Sequence, residues 1–385
     1  MPMHTKPLQT NPTKSLPLID ARRLLIRCLL AVSTLAFALL AVGCADTSYY
    51  LQSVGGHLKM LQAARPVDQW LLDDAVEPAL KQRLELAQRI RRFAVSDLGL
   101  PDNASYQRYA DLQRRAVVWN VVAAPELSLT LKTWCFPVAG CVSYRGYFSE
   151  ADAQGLAAHL KAQGLEVSVY GVPAYSTLGW LNWAGGDPLL NTFIGYPEGE
   201  LARMIFHELA HQVLYVKDDT LFNESFATAV ERLGGERWLA AHGSPQARAE
   251  YAQFDARRRQ FRALLMTTRQ KLAQIYKENE PLAHDIQAQI AMKNIAMQEF
   301  RTDFAALKTA WGGYSGYDAW VAGANNAAFG AQAVYDDLVP SFEALFVAQG
   351  KDWKRFYEAV KQLTQLPAAQ RIRTLKQLST EHPSG

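Results

Sequence analysis

His207-Glu208-Leu209-Ala210-His211 sets two imidazoles one helical turn apart with a carboxylate between them. On a helix, positions i and i+4 share a face, so both rings can reach one ion. The carboxylate between them then sits beside that ion and can take a proton from its bound water. Residues 199–216 read as the helix, with Glu198 and Glu200 at its start, where carboxylates suit the positive end of the helix dipole. Ala202, Ile205, Phe206, Leu209 and Val213 form one apolar stripe, and the histidines project from the other side. A pair of hydrogen-bonded core histidines would lie on the stripe. These two lie off it, so the pattern reads as a metal pair, and zinc, one ion per chain, is the expected cofactor.

A third ligand is required, and Glu224 is the candidate. It lies thirteen positions after His211 in Phe222-Asn223-Glu224-Ser225-Phe226-Ala227, which opens a second helical run to Leu233 before Gly234-Gly235. Residues 215–221 supply the reversal between two antiparallel helices. Asp218 and Asp219 are rivals inside that reversal, although adjacent loop carboxylates more often solvate a turn. Two histidines, one carboxylate and an open position make a catalytic arrangement, whereas a structural zinc is closed by four ligands, often cysteines. Glu231, two turns on, is placed to orient a ligand histidine. Glu208 is the expected catalytic acid and base.

A hydrophobic share of 49% and a charged share of 20% are those of a globular chain with a real core. The formal charge of +3 belongs to the leader: residues 1–43 hold Lys6, Lys14, Arg22, Arg23 and Arg27 against Asp20 alone, which leaves the rest at −1. No nucleic-acid partner is expected. The same 43 residues run from a basic stretch into an uncharged apolar segment, the layout of a secretory signal peptide. Leu40-Ala41-Val42-Gly43-Cys44 resembles a bacterial lipobox, which makes Cys44 the expected lipidation site and the lipid the link to the membrane. An ordinary cleaved signal and an uncleaved anchor are the alternatives, since the uncharged run 28–45 is just long enough to span a bilayer. The cell envelope on the periplasmic side is the expected location. Ala45, where aspartate would retain the chain, favours the outer membrane over the inner. Cys135 and Cys141 flank a turn-rich loop and read as a disulfide in an oxidising compartment.

The rest of the chain reads as mostly helical with one β-rich region. Helices are expected over 49–61, 66–96 and 149–163, the last with Ser149 as N-cap, and strands over 126–136, 143–148 and 166–176. The stretch 169–180 is a candidate edge strand for an extended peptide substrate, with Tyr175 placed to touch it. Residues 244–310 read as a helical hairpin broken at Pro281, most simply a solvated structural arm. Asn325 and Asn326 are candidates to hold a substrate backbone, and Tyr335 to donate to a developing oxyanion.

Beyond the zinc motif, the chain resembles a family of bacterial lipoproteins known as predicted aminopeptidases, a zincin group with a gluzincin-like ligand pattern. The resemblance rests on Gly43-Cys44, Tyr49-Tyr50-Leu51-Gln52, Gly56-His57-Leu58 and Ala64-Arg65-Pro66-Val67. It continues through 132–141 with Tyr144-Arg145-Gly146-Tyr147-Phe148, then Ser176-Thr177-Leu178-Gly179-Trp180, Phe206 to Gln212, Asn223 to Ala227, and Asn325-Asn326 to Pro340. It implies a predominantly helical α+β fold: residues 44–385 as a zincin-like metallopeptidase domain with a small sheet and with 244–310 as a long helical hairpin insertion. It also implies His207, His211 and Glu224 as ligands, Glu208 as acid/base and a peptide as substrate. Better-known gluzincins carry an acidic residue one turn after the ligand glutamate. Here Thr228 stands there, which moves any histidine-orienting role elsewhere, with Glu231 the candidate. An aminopeptidase must also bind a free α-ammonium, for which Glu198, Glu200 and Asp187 are the available carboxylates. Endopeptidase or cell-wall peptide hydrolysis by the same chemistry, and a non-catalytic lipid-anchored binding protein, are the alternatives.

Overall fold

Short strands and long helices alternate unevenly along the chain, giving a predominantly helical α+β protein. The computed structural model describes residues 44–136, 140–174, 177, 185–278, 286–332 and 338–381. The chain divides after Gln52. Residues 44–52 are the opening turns of helix α1 (Cys44–Ala63). The unit 53–385 holds β1 (Arg65–Pro66), α2 (Val67–Leu72), α3 (Pro78–Ser96), β2 (Arg108–Ala110), β3 (Val118–Pro125), β4 (Trp134–Phe136), β5 (Gly140–Val142) and β6 (Arg145–Tyr147). Then come α4 (Glu150–Ala162), β7 (Leu165–Val172), β8 (Leu189–Leu190), α5 (Glu198–Ala210), α6 (Thr220–His242), α7 (Pro245–Glu278) and α8 (Ile286–Ala310). Short α9 (Asp318–Ala322) and α10 (Asn326–Ala331) precede α11 (Val339–Ala348), α12 (Trp353–Thr364) and α13 (Ala368–Glu381). None of the described helices is long and apolar enough to cross a membrane.

The principal sheet is antiparallel, in the order β6-β3-β7, with Val118 opposite Val172 and Pro125 opposite Leu165. Its central strand, β3, is the element that the sequence pattern hides. Every residue from Val118 to Ala124 is buried, so no alternation of apolar and polar residues marks it. Trp119, Val121 and Ala123 pack with Ala153, Ala157 and Leu160 of α4. Val122 and Ala124, on the other face, meet Ala327 and Ala331 of α10. The expected Ser149 cap is present, its Oγ accepting from the Asp152 amide. The expected helix 66–96 is two helices, because the chain turns at 73–77 and restarts at Pro78, a residue suited to the first helical turn.

Helices α5 and α6 form the centre of the main core, with Ile205, Phe206, Phe222 and Phe226 fully buried against α3, α11 and α12. Each such side chain contributes about 1.5–3 kcal/mol by leaving water. Helix α5 ends at Ala210, earlier than expected, because Gln212 and Val213 turn tightly back onto Leu209 and Ala210. The Gln212 side chain is held there by Asn103, Ser105 and Asp187. Helix α6, by contrast, runs straight through Gly234-Gly235 to His242. Glycine ends a helix where the backbone must turn left-handed; these two instead let α5 come close. A Cβ on Gly234 would lie 2.7 Å from Leu98 Cδ1 and 2.9 Å from Phe206 Cδ2.

The hairpin α7–α8 is not a bare solvated arm. Its facing sides bury Phe261, Leu265, Leu272, Met297, Phe300 and Phe304 together with Val321 and Phe329, which is a second core.

Candidate metal centre

The α5–α6 pair aims its polar groups at one point. His207 Nε2 and His211 Nε2 are 3.2 Å apart. Glu224, from the second turn of α6, places Oε2 at 3.4 Å from His207 Nε2 and Oε1 at 3.7 Å from His211 Nε2. A tetrahedral zinc with bonds of about 2.0–2.1 Å has ligand atoms roughly 3.3 Å apart. The two nitrogens and the Glu224 carboxylate therefore stand at about the spacing that such an ion needs. His207, His211 and Glu224 form a group able to hold a metal ion. Asp218 and Asp219 are not in that group. Asp219 caps α6 by accepting from the Phe222 amide and pairs with Arg371 at 2.9 Å, and Asp218 takes a left-handed turn at φ 62°.

The surroundings fix the histidine chemistry. Glu231, two turns along α6 from Glu224, puts Oε2 2.9 Å from His207 Nδ1. A carboxylate there makes Nδ1 the donor and leaves Nε2 as the metal-facing nitrogen. Burial alone would lower His207, but its hydrogen bonds to Glu224 and Glu231 carry it well above its usual range. His211 goes the other way: burial and the neighbouring His207 charge bring it down to about 4. Burial would raise Glu231, yet Arg203 and His207 hold it at about 2. Of the two imidazoles, His207 is thus the one that holds an extra proton and His211 the neutral one.

Glu208 is buried, only 9% exposed. Burial raises it to about 7, with the His207 charge opposing and Glu224, Asp187 and Glu231 assisting. A carboxyl held near neutrality suits a group that both accepts and returns a proton.

The disulfide region lies next to the turn that leads into Glu224. Cys135 and Cys141 are joined, Sγ–Sγ 2.03 Å, directly across the β4–β5 pair. Gly140, left-handed at φ 75°, packs so closely on Asp218 that a Cβ would fall 1.7 Å from its Oδ1.

Other expected site residues stand elsewhere. Asn326 is fully buried; its Nδ2 donates to the Pro125 and Glu126 carbonyls and its Oδ1 accepts from Tyr276. Asn325 caps α10 and donates to the Val167 carbonyl. Both asparagines therefore bind the frame of the sheet, with their side-chain groups engaged there. Tyr175 and Tyr335 lie outside the described residues, as does most of the expected edge stretch beyond Val172. Cys44 begins α1. The three carboxylates considered for an α-ammonium are also engaged. Glu198 accepts from Trp238 Nε1, Glu200 pairs with Arg258, and Asp187 is buried, accepting from Gln212 and the Thr177 amide.

Residues 48–375 match a family model described as "Putative aminopeptidase". The chain belongs to that family. The match spans α5, α6, the disulfide and the hairpin, and membership suggests peptidase activity. No curated protein matches the chain, and no solved structure does.

One residue of the centre escaped sequence reasoning. Arg203, a buried arginine one turn before His207, contacts Glu231. Its signal was available: an arginine four positions before His207, and so on the histidine face of the same helix.

Proposed function

We propose that this aminopeptidase-family protein is a zinc-dependent peptidase of zincin type that removes residues from the N-terminus of peptides. The observation that carries the reading is the convergence of His207 Nε2, His211 Nε2 and the Glu224 carboxylate at 3.2–3.7 Å, with the buried Glu208 electrostatically coupled to His207 and Glu224. Zinc bound there supplies Lewis acidity, polarising a carbonyl and acidifying a water. Glu208 accepts the proton of the attacking water and delivers it to the leaving amine. Glu231 keeps Nδ1 of His207 engaged as a donor. Burial of the site keeps these charges poorly screened and strengthens their mutual effects.

Strand β7 has β3 on one side only in the described sheet, and residues 169–172, the part of the candidate stretch 169–180 that it contains, are the proposed rail for an extended substrate. Cys44 is the proposed lipid attachment point, which would hold residues 44–385 at the periplasmic side of the envelope. The lipid would be the membrane contact, and the outer membrane the favoured one.

One observation favours a second reading, endopeptidase activity. Glu198, Glu200 and Asp187 all have internal partners, so none of them is free to receive an α-ammonium. Metal analysis of the purified protein beside turnover of an aminoacyl-anilide tests the main reading. One zinc per chain and turnover lost on chelation are expected. Full turnover by metal-free protein would contradict it.

A further inference from the structure

Helix α5 carries one more buried charge on the histidine side. Arg203 lies one turn before His207, so its guanidinium projects along the same face. Its side chain is 6% exposed. Nη2 donates to Glu231 Oε1, while Glu231 Oε2 accepts from His207 Nδ1 at 2.9 Å. One carboxylate thus takes the arginine on one oxygen and the imidazole on the other. Nη1 stands 3.9 Å from Glu200 Oε1 and 3.9 Å from Asp255 Oδ1, and Arg258 reaches the same Glu200 oxygen at 2.6 Å. Asp255 and Arg258 belong to α7, the first helix of the hairpin.

The slot for this arginine is built into the helix pair. A Cβ on Gly235 would lie 2.9 Å from Arg203 Cγ, so only glycine leaves room for the stem. The Tyr251 ring, also from α7, lies 5.9 Å from the guanidinium carbon.

We propose that Arg203 is a positioning residue that acts through Glu231 to hold His207 as a metal ligand, and that Asp255 and Arg258 tie this relay to the helical hairpin. The proposal rests on the zinc reading. A buried carboxylate with a single partner is poorly fixed, whereas two charge-assisted hydrogen bonds set both its position and its ionisation. Without Arg203, Glu231 keeps only the imidazole and a partly uncompensated buried charge. The ligand it orients then loses its fixed direction, as outer partners of metal-bound histidines generally show.

The test is a double-mutant cycle read by competition for Zn2+ against a chelator, using wild type, Arg203→Met, Glu231→Gln and the double variant. Each single change is expected to weaken zinc binding roughly 10–100-fold, and the double variant to lose little more than either. Additive losses, or wild-type affinity in Arg203→Met, would overturn the relay. Arg203→Lys keeps the charge and most of the stem, and runs through the same cycle if the methionine variant does not fold. A several-fold loss that vanishes in the Glu231→Gln background is expected from it. A metal-independent arm follows the hydrogen-bonded Nδ1 proton of His207 by NMR in the metal-free protein. Its signal should move upfield or broaden away in the Arg203 variants; an unmoved signal would overturn the proposal. Wild type that binds no zinc would sink the zinc reading alone, and the NMR arm would still decide the role of Arg203.

Discussion

His207 Nε2 faces His211 Nε2 at 3.2 Å, and of these two imidazoles it is His207 that holds an extra proton. His207 is raised well above its usual range and His211 is lowered to about 4, so near pH 7 the first is cationic and the second neutral. A metal ion must displace that proton. Zinc binding at pH 7 should therefore release about one proton, and zinc affinity should tighten about tenfold per pH unit until His207 deprotonates. The sign follows from the raised group: acid favours the protonated, metal-free site. Calorimetry in two buffers of different ionisation enthalpy reads the proton count. Zinc uptake without proton release would rule this arrangement out.

Glu208 stands outside the group of His207, His211 and Glu224, which separates its role from that of the ligands. Glu208→Gln should keep one zinc per chain and lose turnover by about 10²–10⁴-fold, the usual scale of acid–base help. Unaltered turnover in that variant would remove Glu208 from the mechanism.

Glu224 completes the ligand group, with Oε2 3.4 Å from His207 Nε2 and Oε1 3.7 Å from His211 Nε2. Glu224→Ala should cost the metal, with zinc lost on gel filtration while the fold persists. Tight stoichiometric zinc in that variant would point to another third ligand.

The same substitution should have opposite signs at two helical glycines. At Gly155 nothing lies within 4 Å of the place a Cβ would take, so Gly155→Ala should stabilise by roughly 0.5–1 kcal/mol through helix propensity. At Gly234 the new methyl would meet Leu98 at 2.7 Å and Phe206 at 2.9 Å. Overpacking there costs about 1–3 kcal/mol, which outweighs the propensity gain, so Gly234→Ala should lower stability. Denaturant unfolding of both variants checks the pair. Stabilisation at Gly234 would mean that α5 and α6 are less closely packed than these distances imply.

What the sequence made legible was local. The four-residue spacing of His207 and His211 survives any packing, and Glu224 and Glu231 follow from a second helix folded back on the first. Strand β3 was not legible because both its faces are covered, which erases the alternation that marks a strand. Gly234-Gly235 looked like a helix stop because sequence does not distinguish a left-handed turn from a close helix approach. Asn325 and Asn326 looked like substrate holders; only the packing of α10 on β3 and β7 shows their groups turned to the frame. The link from Arg203 to α7 needs three helices brought together, so no single stretch carries it.

Hydrolysis of matched free-amino and N-blocked peptides by the zinc-loaded protein, repeated after chelation and after zinc return, tests the central claim most directly. The account predicts cleavage of the free-amino peptides alone, lost with the metal and restored with it. Cleavage that survives metal removal, or a zinc-loaded protein that cleaves neither set, would contradict it.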